Sequence, residues 1–426
     1  MIRTGLAVLV LTLVACDQPA LFHPPVRAKA GVAKTMAITS GEHVTVLAPD
    51  GATAEGAIAI SPVDARIAIA AGIPEGGKHP IVDTFHSTDG GVTWTAPRPL
   101  PLLATSGRTF VGHFDPVLAM DRTGIADLVA IAKETNTIWT TVVYRSTDDG
   151  ATWMGVDVAQ SAAGVVDKPW IAVDREDGTV YALWYSASAL RVASSRDRGL
   201  TWSEARLPVG GAPVIATGPD RRVYVSSVRN VEPAAYWLYR SDDGGATFGA
   251  ATQIVPFAGL PVTTMQATPF HQLATDARGN LYMVYPTSID RHLPAMVMFI
   301  RSTDEGRTWS TPLRLSAPPE LGRDAAFPAL AVDDATGEIS VAWLDRRDDP
   351  NNQYARVYAA RSNDGGLTFE TGAFTPPFNV TAGAFLGHYN QLAAHAGRRL
   401  AVFSDGAGHL FVARITWPAR RRATSR

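Results

Sequence analysis

The sequence predicts an all-β ring of seven four-stranded blades, a seven-bladed β-propeller, from three observations. An eight-residue box, Ser-x-Asp-x-Gly-x-Thr-aromatic, occurs six times, starting at Ser87, Ser146, Ser195, Ser241, Ser302 and Ser362. The copies lie 59, 49, 46, 61 and 60 residues apart, and self-similarity at such a period marks a repeat architecture. A second repeat lies between the boxes: a polar residue or Pro, then an apolar strand containing Ala, often an Asp, then a turn and another strand. Finally, β-branched and aromatic residues dominate, and no long segment shows a 3.6-residue period. Four short antiparallel strands repeated radially is the sequence form of a propeller.

Taken in order, residues 1–15 have the anatomy of a signal peptide. Arg3 forms a charged start, and the apolar run from Leu6 to Val14 is too short to span a bilayer. The run ends Leu13-Val14-Ala15-Cys16, and Cys16 is the only cysteine of the chain. This stretch resembles a bacterial lipobox, which implies cleavage before Cys16 and its lipidation. Residues 16–34 carry Pro19, Pro24 and Pro25 without apolar periodicity and read as a tether. The propeller is expected over residues 35–418, and residues 419–426 form a basic, solvated tail.

Copies of the second repeat are Asp115-Pro116-Val117-Leu118-Ala119, Lys168-Pro169-Trp170-Ile171-Ala172, Pro213-Val214-Ile215-Ala216, His271-Gln272-Leu273-Ala274 and Pro328-Ala329-Leu330-Ala331. Two degenerate copies, Ala57-Ile58-Ala59-Ile60 and Asn390-Gln391-Leu392-Ala393, bring the count to seven, one more than the boxes. The last unit stops after three strands, and an orphan strand at residues 43–47 precedes the first. Placing that strand outermost in the last blade pairs the two chain ends and removes exposed edges. Six boxes alone would suggest the alternative, a six-bladed ring.

The box chemistry is structural. Asp89, Asp148, Asp197, Asp243, Asp304 and Asp364 stand at the third position, where a carboxylate can accept bonds from turn amides, and the Gly supplies a positive φ. One active site would not need six copies. The carboxylates are expected to be satisfied locally, so no metal is expected. These boxes resemble Asp boxes, also called BNR repeats, and the chain resembles the sialidase-like Asp-box propellers. The resemblance implies the propeller fold. It does not fix function, because the same box occurs in sialidases, other glycoside hydrolases, glycan-binding proteins and non-enzymatic assembly factors.

Topology places a site opposite the boxes. The boxes occupy the turns between third and fourth strands and define one face. The starts of the innermost strands and the ends of the second strands converge on the other, here called the mouth face. There the sequence places Asp115, Asp167, Lys168, His271, His388, Tyr389, Lys133, Glu134 and Arg229, with Asp345, Arg346 and Arg347 in the densest polar run, residues 343–352, and Arg323 in the connection before that blade. Asp115, Asp167, Asp345 and Tyr389 are candidate catalytic groups. Lys168, Arg229, His271, Arg323, Arg346, Arg347 and His388 are candidate binding groups. Trp170, Trp184 and Trp237 are candidate aromatics beside them. Sialidase chemistry needs three arginines on the substrate carboxylate and an activated Tyr. The sialidases carry one of those arginines before the first blade, whereas residues 35–56 contain none.

Net charge is -2, which excludes a whole-protein basic field for nucleic acid. No phosphate loop, nucleophile elbow or zinc-ligand pair is present, so no cofactor is expected. The expected partner is a glycan or protein ligand, bound by a monomer held by its lipid in a bacterial cell envelope. Glycoside hydrolysis of exo-sialidase type and a non-catalytic scaffold are the alternatives. Expressed in a bacterial host, the wild type is expected to take up radiolabelled palmitate. Cys16→Ser should lose the label and leave the membrane fraction; label retained in Cys16→Ser contradicts the lipobox reading.

Overall fold

A computed structural model describes residues 43–417, apart from 49–52, 75–79, 106–107, 135–138, 159–165, 187–188, 209, 230–232, 261–264, 266–267, 290–291 and 382–384. The signal segment, the tether and the basic tail lie outside the described residues. The chain from residue 43 folds into seven four-stranded antiparallel blades. Their innermost strands are Thr53–Ile60, Gly112–Met120, Val166–Val173, Gly211–Thr217, Gln272–Thr275, Ala325–Val332 and Leu392–His395, for blades 1 to 7.

Blade 7 closes the ring as the strand count requires. Val44–Val46 pairs antiparallel with Leu410–Arg414, the third strand of the last unit, in the register Val44↔Ala413. The N-terminal strand is therefore the outermost strand of the final blade. Successive blades pack face to face through their strands, and Tyr181, Tyr224, Phe299 and Trp343 are almost wholly buried there. Burying side chains of this size supplies the main driving force for ring formation.

Each box is a self-contained turn. In blade 5, Asp304 Oδ1 accepts from Ser302 Oγ at 2.7 Å and Thr308 N at 2.8 Å, and Oδ2 from Thr308 Oγ1 at 2.6 Å. Ser302 Oγ accepts from Gly306 N at 2.9 Å. The other five boxes repeat this pattern. Bonds from the Thr308 hydroxyl and amide hold the Asp304 carboxyl down to about 2. The box also joins blades. At Gly366, φ is +81° and an added Cβ would lie 2.5 Å from Phe299 Cζ of the preceding blade. Gly91, Gly150, Gly245 and Gly306 press in the same way on Leu400, Ile69, Tyr181 and Leu238.

The innermost strands have one free edge at the ring axis. Two glutamines close it. Gln391 Oε1 accepts from Ile58 N and Leu118 N, both at 3.1 Å, and its Nε2 donates to Leu118 O at 3.2 Å. Gln272 Oε1 accepts from Leu330 N at 2.7 Å, and its Nε2 donates to Asn390 O. On the box side of this waist lies a cavity of about 310 Å³ lined by all seven innermost strands. Arg175 and Asp334 pair across its rim at 2.7 Å.

The box glycines give a direct test. Gly366→Ala combines a strained φ with overpacking and should lower unfolding stability by about 2–3 kcal/mol in urea titration. Gly337, at φ +75° with nothing within 4 Å of an added Cβ, isolates the backbone part, and Gly337→Ala should cost about 1 kcal/mol. Equal losses would show that the boxes do not bind the blades together.

Candidate functional site

The site is built by an irregularity that five innermost strands share. Their ladders skip at Glu55-Gly56, Asp115-Pro116, Lys168-Pro169, Ala212-Pro213 and Phe327-Pro328. The first residue of each pair sits at positive φ: 52°, 53°, 52°, 44° and 57°. Proline has no N–H to contribute, so breaking the ladder there forfeits no donor. The bulge turns a side chain that would follow the strand's alternation toward the channel mouth.

Three of these bulges carry charge, and they meet. Lys168 Nζ lies 3.0 Å from Asp115 Oδ2, 3.3 Å from Asp167 Oδ1 and 3.7 Å from Glu55 Oε1. It also lies 3.0 Å from His388 Nδ1, which is 2.7 Å from Glu55 Oε1. Blades 1, 2, 3 and 7 each supply a member. Gly387 allows the last approach: its φ is +87°, and an added Cβ would stand 2.8 Å from Glu55 N. His388 is then fixed through its carbonyl, which accepts from Thr268 Oγ1 at 2.7 Å. Aromatic rings wall and floor the cluster. Phe270 lies 5.8 Å below Lys168 Nζ, and Tyr389 packs against Phe270 and edge-on to Trp170.

Electrostatics separate the acids. Burial, the neighbouring Glu55 carboxylate and a hydrogen bond with it push Asp115 up to about 7, against the pull of Lys168. Burial also raises Asp167. Burial and then the charge of Lys168 push His388 down to about 4. The cluster thus combines a lysine, an imidazole whose charging is disfavoured, and three acids, of which Asp115 is raised to about 7.

The structure gathers four of the sequence candidates here, Asp115, Asp167, Lys168 and His388, and adds Glu55. Glu55 was missed because its copy of the repeat has Gly56 in place of Pro. Aligning Glu55-Gly56 with Asp115-Pro116 and Lys168-Pro169 would have found it. Tyr389 lies beneath the cluster, buried, with its hydroxyl directed at Pro116 O at 3.4 Å; burial raises it well above the usual phenol range. Trp170 and Trp184 are core residues.

The remaining candidates lie elsewhere. His271 is fully buried, 2.6 Å from Ser226 Oγ, and burial lowers it to about 3. Arg346 is buried at 3.5 Å from Asp324, and burial brings it down to about 10. Asp345 accepts from Trp343 Nε1 at 2.8 Å and from Arg347 Nη2 at 2.6 Å, and Arg347 stacks on Tyr358 at 4.1 Å. Arg323 bonds the neighbouring Gly322 carbonyl. Arg229 stacks on Trp237 at 5.0 Å.

Residues 69–212 match the BNR repeat-like domain. That span contains the first three boxes, so the Asp-box likeness read from the sequence is also a match to a described repeat. No curated protein matches the chain. Among solved structures, similar ones include a protein of unknown function from Dyadobacter fermentans, with 15% identity over 88% of this chain and 98% of that one at a TM-score of 0.48. A Hadza microbial sialidase shares 15% identity over 80% and 74% at 0.48. A polysaccharide lyase, an ulvan lyase, shares 14% over 87% and 95% at 0.49. At 14–15% identity none of these carries a residue role over to this chain.

Asp115 gives the site a pH signature. Between about 4 and 7 it is protonated in the fold and ionised when unfolded, so stability falls as pH rises through that window. Asp115→Asn removes this slope. From pH 4 to 7.5 the variant should gain on the wild type by up to about 4 kcal/mol in urea titrations. A difference that stays flat with pH contradicts a protonated Asp115.

Proposed function

We propose that the protein binds a glycan at the channel mouth, on the face opposite the boxes, as a lipid-anchored receptor of a bacterial envelope. The observation that carries this reading is the convergence of Glu55, Asp115, Asp167, Lys168 and His388 from four blades. Three of the five stand at positive φ, a conformation that costs about 1–3 kcal/mol each. Buried charges add a desolvation cost that pairing only partly returns. The ring needs neither, since the glutamine waist and the paired termini close it. Strain and buried charge held at one mouth support binding. Mixed acceptors and donors converging on one concave mouth are the groups that fix sugar hydroxyls.

Hydrolysis is the second reading, and one observation favours it: Asp115 is raised to about 7, the range that suits a general acid near neutral pH. The sialidase form lacks support. Among the described residues the cluster's one cation is Lys168, and Tyr389 lies buried with its hydroxyl on a carbonyl.

A glycan array with the purified chain, followed by titration of the best ligand, tests both. Asp167→Asn and His388→Ala should weaken binding at least tenfold, and Arg175→Ala on the box face should leave it unchanged. Binding that survives both mouth variants overturns the site. Turnover of aryl glycosides that is lost in Asp115→Asn would move the protein to the hydrolytic reading.

A further inference from the structure

Two cations stacked on aromatic rings at the mouth face lack a carboxylate ion pair among the described residues. Lys133 ends the second strand of blade 2. Its Nζ lies 5.9 Å from the ring centre of Phe114 and 5.8 Å from that of Trp139, two rings stacked within 3° of parallel. Arg229 ends the second strand of blade 4. Its guanidinium lies 5.0 Å from the ring centre of Trp237 and 5.9 Å from that of Tyr239, and it makes one hydrogen bond, to the Tyr239 hydroxyl. Blade 6 repeats the arrangement, but there Asp345 neutralises the cation: Arg347 stacks on Tyr358 and pairs with the carboxylate at 2.6 Å.

The contrast separates roles. Arg347 is satisfied within its own blade. Lys133 is held by ring faces, and Arg229 by ring faces and the Tyr239 hydroxyl, contacts that fix a cation and strip part of its water without pairing it with a carboxylate. The two posts stand on the blades either side of blade 3, which supplies Lys168 and Asp167 to the mouth. Blade 2 is tied to the mouth directly, because Phe114 precedes Asp115 in one strand.

We infer that the ligand at the mouth is an anionic glycan, bearing carboxylate or sulfate groups that seat on Lys133 and Arg229. This rests on the mouth being a glycan site and adds the class of glycan. The mouth itself is rich in carboxylates and suits neutral hydroxyls. The posts, set apart from it along the rim, suit the charged substituents of neighbouring sugar units. Arg229 offers planar, paired donors to either oxyanion.

The test is binding of the full purified chain to polygalacturonate, dextran sulfate and uncharged dextran, by calorimetry at low and at physiological salt. The wild type should bind at least one anionic polymer ten times more tightly than dextran, and salt should weaken that binding. Lys133→Gln combined with Arg229→Gln should abolish the preference, Lys133→Arg should keep it, and the variants should melt as the wild type does. Tighter binding of dextran, or an anionic preference untouched by the double variant, overturns the inference while leaving a glycan site standing. Absence of binding to all three polymers, together with a blank glycan array, overturns both.

Discussion

The backbone at the ring axis is the constraint on which the rest depends. An innermost strand has a neighbour on one side only, and its other edge faces six similar edges across a narrow channel. A buried amide left without a partner costs about 1–3 kcal/mol. The fold meets this at the waist with Gln391 and Gln272, whose amides bond the free edges of three other blades. At the mouth it uses bulges, four of them at a residue followed by proline, where no N–H is present to be orphaned. The same device that relieves the edge also aims side chains at the mouth. Site and ring closure are thus two results of one geometric problem.

What the bulges aim is unevenly charged. Blades 1, 2 and 3 deliver Glu55, Asp115 and Lys168, whereas blades 4 and 6 deliver Ala212 and Phe327. The charged bulges thus fall on three successive blades, and the side chains of the other two are buried in the core. Lys168 faces three acids, and burial with the Glu55 carboxylate beside it raises Asp115 to about 7. The box face has a different character. Its carboxylates are spent on turn amides and hydroxyls, and its grooves, such as that between Arg240 and Glu305, are crossed by ion pairs.

Much of this was legible in the sequence. The boxes set the blade period, and seven copies of the inner-strand repeat against six boxes required the terminal strand to complete the last blade. Asp115, Asp167, Lys168 and His388 could be placed at the mouth because each precedes an apolar inner strand. That rule misplaced His271, and the polar run at a second-strand end misplaced the arginines of blade 6, each for a physical reason. Among the described residues blade 5 shows no bulge, its inner strand starts at Gln272, and His271 turns into the core against Tyr236. Arg346 and Arg347 stand in a dense polar run, but Asp324 and Asp345 lie within reach to absorb them. Sequence shows that charges are close along the chain; it does not show which are already paired in space. The stacked cations on blades 2 and 4 were hidden likewise, because Lys133 meets Trp139 and Arg229 meets Trp237 only once the hairpins close.

The central claim is that ligand occupies the mouth bounded by blades 1, 2, 3 and 7. A crystal structure of the chain soaked with an oligosaccharide chosen by array screening tests it most directly. The account predicts sugar density over Lys168 and His388, with hydroxyls within hydrogen-bond distance of Asp167. Density confined to the box face, or to the cavity beneath Gln391, would contradict it.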